Sequence, residues 1–90
     1  MPTIHLLIKG KVQGVFYRGS AKEMADKLAL TGWVKNTPEG HVEAMVTGKE
    51  SAVQQFIEWC KKGPRGARVT DIVTNTVSDK IFRDFSITRE

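Results

Sequence analysis

The sequence predicts an α+β fold, with an antiparallel sheet carrying two helices on one face in split βαβ order. Two observations carry that reading. Stretches of strand period and helix period alternate as strand, helix, strand, strand, helix, strand, with a short terminal strand. Glycine and proline fall between the stretches rather than inside them.

Residues 3–9 read as the first strand, with Ile4, Leu6 and Ile8 on one face and His5, Leu7 and Lys9 on the other. Gly10 to Gly14 is a glycine-bounded loop. Residues 20–31 read as a helix. Ser20 is its expected N-cap, Glu23 completes a capping box, and Gly32 marks its stop. Ala21, Met24, Ala25, Leu28 and Ala29 have the spacing of a buried face.

Residues 33–37 and 41–47 read as a hairpin turned by Pro38-Glu39-Gly40. Val42, Ala44 and Val46 share one face of its second strand. Residues 50–62 read as the second helix, which buries Val53, Phe56, Ile57 and Cys60 and is ended by Gly63-Pro64. Residues 69–77, rich in Val, Ile and Thr, read as a strand, and a short strand is expected at 82–87, where Phe85 and Ile87 share a face. This pattern is the ferredoxin-like α/β sandwich (βαββαβ), expected as one domain over residues 1–90. So widely reused a fold says little about function.

Composition narrows the classes. The chain has 90 residues and 40% are hydrophobic, which suits one folded core and not a disordered chain. No apolar run approaches the ~20 residues needed to span a bilayer, and the N-terminus does not read as a signal peptide. The lone Cys60 excludes an internal disulfide and a thiolate metal site, so a reducing, cytoplasmic setting is expected. The net charge of +4 suggests anionic partners, but the basic residues are scattered, which argues against nucleic acid.

Two stretches carry chemistry. In Gly10-Lys11-Val12-Gln13-Gly14-Val15-Phe16-Tyr17-Arg18, two glycines four apart let successive N–H groups converge ahead of a helix N-terminus. Arg18 can hold two phosphate oxygens with one planar fork. A plain glycine turn beside a surface arginine would give the same pattern, so the loop alone leaves both readings open. The second stretch runs Gly32-Trp33-Val34-Lys35-Asn36-Thr37-Pro38-Glu39-Gly40-His41-Val42 and on to Gly48. Asn36 is disfavoured in a strand. Either it has a site role or it initiates the proline-containing turn.

Together the two stretches resemble the signatures of the acylphosphatase family. The first matches Gly-x-Val-Gln-Gly-Val-x-(aromatic or Met)-Arg, with Gly10, Val12, Gln13, Gly14, Val15 and Arg18 in place. The second matches Gly-aromatic-(Val or Ala)-(Lys or Arg)-Asn-x-x-x-Gly-x-Val-x-x-x-x-x-Gly, with Gly32, Trp33, Val34, Lys35, Asn36, Gly40, Val42 and Gly48 in place. Tyr17 stands where Phe or Met is more usual.

The resemblance implies hydrolysis of the carboxyl–phosphate bond of acyl phosphates, with Arg18 binding phosphate and Asn36 orienting the attacking water. It implies further phosphate binding by the loop Lys11, Val12, Gln13, Gly14 and Val15 through backbone N–H groups. No metal and no cofactor is expected. His5 and His41 read as ordinary strand residues, Cys60 as a packed hydrophobe, and Trp33 and Trp59 as packing aromatics. The expected partners are a small-molecule acyl phosphate and inorganic phosphate, with no nucleic acid and no membrane, and the chain is expected to act as a monomer. The alternative is a non-catalytic ferredoxin-like module that binds an anion or RNA. An RNA-binding module would leave the Gly10–Arg18 loop and Asn36 unexplained, and the aromatic-rich strand that RNA-binding sheets use is missing.

Overall fold

The computed structural model describes residues 1–88. Their order is β1 (Thr3–Lys11), α1 (Tyr17–Lys27), β2 (Thr31–Asn36), β3 (Val42–Thr47), α2 (Glu50–Lys62), β4 (Arg68–Val77) and β5 (Phe85–Ile87). The last two positions of the expected 1–90 unit lie outside the described residues. No helix among the described residues is long and apolar enough to cross a membrane.

The strands lie in the order β4-β1-β3-β2-β5. The first four pair antiparallel, as the pattern predicts. The fifth runs parallel to β2, so the whole sheet is mixed. The path of the chain explains the correction. β4 ends beside Thr3, where the connection is fastened as the Lys80 N–H donates to Thr3 Oγ1 at 3.0 Å and Thr47 Oγ1 donates to the Lys80 carbonyl at 3.3 Å. The chain thus crosses the end of the sheet at which β2 also begins, and it enters the far edge running the same way as β2. The expected strand over 82–87 shortens to Phe85–Ile87.

Alternation divides the sheet into two faces. Leu6, Ile8, Val34, Val42, Ala44 and Val46 lie on the face that meets the helices and are fully buried. From α2, Val53, Phe56, Ile57 and Cys60 close this core, as their spacing predicts. Trp59 packs its ring against Tyr17 and Phe56. On the open face His5 Nε2 meets Glu43 Oε2 at 2.6 Å, and the Lys35 ammonium stands over the Trp33 ring.

Helix α1 departs from its sequence reading at both ends. It begins at Tyr17, not near Ser20, and its first bond runs from the Ser20 N–H to the Phe16 carbonyl. Ser20 is therefore inside the helix, and no side chain caps the start. It ends at Lys27, because Ala29 turns left-handed (φ 58°) and drops Leu30 into the core. Ala29 itself is exposed, whereas Tyr17, Ala21 and Ala25 are buried and Met24 and Leu28 pack at the margin. Gly32 belongs to β2. A side chain there would come within 1.8 Å of the Met45 carbonyl oxygen, so the strand pair needs glycine at this point.

Candidate active site

The link from β1 to α1 forms one wall of the site. Gly14 takes φ 77°, a left-handed conformation open to glycine, and Phe16 follows at φ 63°, ψ 31°. For a non-glycine residue that conformation costs on the order of 1–2 kcal/mol. These two reversals bring the chain round so that α1 starts directly after the loop, with Arg18 in its first turn. There is no acidic residue in that turn, so nothing in the helix neutralises the partial positive charge of its N-terminus.

Asn36 supplies a second wall, from β2. It is the last residue of β2 and pairs with Val42, on the face of the sheet that the helices cover. Its Oδ1 is buried without a hydrogen-bond partner, a cost of about 1–3 kcal/mol for an orphaned acceptor. Asn36 and Arg18 line one cavity of roughly 300 Å³, together with Val12, Gly14, Phe16, Tyr17, Gly19 and Ile87. Among the described residues, no carboxylate pairs with the Arg18 guanidinium.

The two walls are tied by Gln13. Its Nε2 donates to the Thr37 carbonyl at 2.9 Å and to the His41 carbonyl at 2.8 Å. Both belong to the hairpin that follows Asn36, whose closure is completed by the Thr37 N–H donating to the His41 carbonyl at 2.9 Å. One amide thus fixes the loop against the residues next to Asn36. Of the sequence-predicted residues, Val12, Gly14, Arg18 and Asn36 line the cavity. Lys11 is exposed at the end of β1, Val15 packs against the core, and the Gln13 side chain serves the hairpin. Phe16, Gly19 and Ile87 had no site signal in the sequence.

Tyr17 anchors the start of α1. Its hydroxyl donates to the Cys60 carbonyl at 2.7 Å. In a continuing helix that carbonyl would accept from the N–H of residue 64, but residue 64 is proline and has none. Tyr17 supplies the missing donor and ties the residue before Arg18 to the end of α2. Burial raises the Tyr17 pKa well above 10.0, with the adjacent Cys60 adding to the shift. Burial pushes the Cys60 thiol from 9.0 up to about 12, against the opposing hydrogen bond with Tyr17. Both groups stay protonated at neutral pH.

No three His, Cys, Asp or Glu side chains converge among the described residues. What the site offers is a cation, a helix N-terminus and an asparagine with an unpartnered amide oxygen, all on residues that line one small cavity of a ferredoxin-like scaffold. Those features define a domain of the phosphate-handling type.

Comparison with known proteins narrows the class. The acylphosphatase family model matches residues 4–87. An acylphosphatase of Methylococcus capsulatus is 42% identical over 92 residues, covering 100% of this chain and 99% of that one. One from Pyrobaculum islandicum is 49% identical over 85 residues, covering 92% and 90%. The crystal structure of acylphosphatase from Bacillus subtilis superposes with a TM-score of 0.95 at 39% identity, over 98% of this chain and 99% of that chain. The chain belongs to the acylphosphatase family.

Proposed function

We propose that this protein hydrolyses the carboxyl–phosphate bond of acyl phosphates, with Arg18 and the loop Lys11–Val15 holding the phosphoryl group and Asn36 orienting the attacking water. The observation that carries the proposal is that Arg18 and Asn36, from separate elements, line one cavity, and that Asn36 Oδ1 has no hydrogen-bond partner in the fold.

The chemistry asks for little more. Phosphoryl transfer passes through a loose transition state with charge spread over the equatorial oxygens. Arg18 and the N-terminus of α1 supply fixed positive charge where that charge grows. The leaving carboxylate has a conjugate acid of pKa about 4–5, so it departs without a general acid. Asn36 Oδ1 accepts a hydrogen from the water and sets its direction of attack. An amide is not a base at neutral pH, so its contribution is positional. Phosphate monoesters, whose alkoxide leaves poorly without acid help, are then poor substrates.

The test is hydrolysis of benzoyl phosphate in excess EDTA beside a phosphate monoester, for the wild type and Asn36→Ala. The expected result is rapid cleavage of the acyl phosphate alone, with kcat lowered on the order of 10²-fold in the variant. A folded wild type that leaves benzoyl phosphate intact contradicts the proposal.

A further inference from the structure

The chemistry above gives no part to two exposed apolar side chains of the cavity lining. Phe16 is 69% exposed and lines the same cavity as Arg18 and Asn36. It is also one of two non-glycine residues with positive φ among the described residues, a conformation that bulky residues rarely adopt and that tends to mark functional positions. The ring has a seat. A Cβ at Gly19 would fall 2.3 Å from Phe16 Cζ and 2.5 Å from Cε1, so the ring lies over the bare backbone of the first turn of α1. Ile87, 36% exposed at the end of β5, lines the same cavity. Neither residue contributes to the buried core.

The cavity is therefore chemically mixed. Its lining combines polar groups suited to phosphoryl oxygens, from Arg18, Asn36 and the loop backbone, with the solvent-exposed apolar side chains of Phe16 and Ile87. An acyl phosphate has the same combination, since its phosphoryl group is anionic and its acyl group hangs from the bridging oxygen. We propose that Phe16 and Ile87 form an acyl-group subsite, so that the preferred substrates carry aromatic or bulky apolar acyl groups rather than short or charged ones. This rests on the acylphosphatase reading above. The ring supplies a flat surface for stacking, and its face is already held in place before substrate arrives.

Phosphonates test the subsite without turnover. Calorimetry gives the affinity of benzylphosphonate relative to methylphosphonate for the wild type, Phe16→Asn and Ile87→Thr. Asparagine tolerates the left-handed conformation, so Phe16→Asn removes the ring without adding strain. The wild type is expected to favour benzylphosphonate by about tenfold, Phe16→Asn to lose most of that preference, and Ile87→Thr to lose about threefold. A ratio equal in all three proteins overturns the subsite, as does failure of both phosphonates to bind the wild type. Benzoyl phosphate hydrolysis by the same samples separates the two claims. A wild type that cleaves it while the ratio stays unmoved loses the acyl subsite alone, and one that cleaves nothing loses the parent reading.

Discussion

Helix α2 opens with Glu50 in its first turn and closes with Lys61 and Lys62 in its last, so charges of the favourable sign stand at both ends of its dipole. Helix α1 closes on Lys27 but has no acid in its first turn. The packing differs in the same sense. α2 buries Val53, Phe56, Ile57 and Cys60, whereas α1 buries two alanines and Tyr17. The helix that leaves its N-terminal charge unanswered is the one whose first turn lines the cavity. α2 is built to hold the domain together. In the proposed reading, the start of α1 receives the phosphoryl group of the substrate.

If that division holds, substitutions in the two helices fail in different ways. The largest effect is expected at Arg18. Arg18→Ala should reduce turnover of acyl phosphates by about 10²–10³-fold, the cost of losing one fixed charge-stabilising group, while thermal unfolding moves little. Steady-state kinetics beside a melting curve checks both halves. A variant that unfolds at room temperature would place Arg18 in the scaffold instead.

Phe56 gives the opposite profile. It is fully buried, with its ring 6.2 Å from Trp59 and 6.0 Å from Phe85. Phe56→Ala should cost about 3–5 kcal/mol in chemical denaturation. Activity per folded molecule should stay within about twofold of wild type. A larger loss of activity at full folding would show that α2 also shapes the site.

The smallest effect concerns the tie between the helices. The folded chain keeps Cys60 and Tyr17 protonated above their ordinary values of 9.0 and 10.0, while the unfolded chain ionises near those values. The unfolded state therefore binds fewer protons across that range, and stability falls as pH rises. The contribution is complete below about pH 9, and about 1–2 kcal/mol should be gone by pH 10. Denaturation at pH 8 and pH 10 measures it. In Tyr17→Phe/Cys60→Ala the drop should shrink, and an unchanged drop would assign the alkaline loss to other groups.

Much of this division was legible in the residue pattern, for reasons that also explain where it failed. The stripe Val53-Phe56-Ile57-Cys60 is periodic and local, and it folds as it reads. Ser20 and Glu23 also form a valid local pattern, yet α1 starts at Tyr17 because Gly14 and Phe16 reverse the chain earlier. No cap residue announces that start. The left-handed turn at Ala29 has no glycine to mark it, and the need for Gly32 lies in the carbonyl of Met45 on another strand.

The site divides along the same line. Arg18 and Asn36 stand inside recognisable signatures. The Gln13 clamp depends on carbonyls 24 and 28 residues away, and the placing of Phe16 and Ile87 on one cavity depends on a parallel edge strand that the alternation of residues does not encode.

Calorimetric titration of inorganic phosphate into the wild type, Arg18→Ala and Asn36→Ala tests the central claim most directly. The account predicts that the wild type and Asn36→Ala bind phosphate with similar affinity, because Asn36 serves the water, and that Arg18→Ala loses at least about tenfold. Phosphate binding undiminished in Arg18→Ala, or lost in a folded Asn36→Ala, would contradict it.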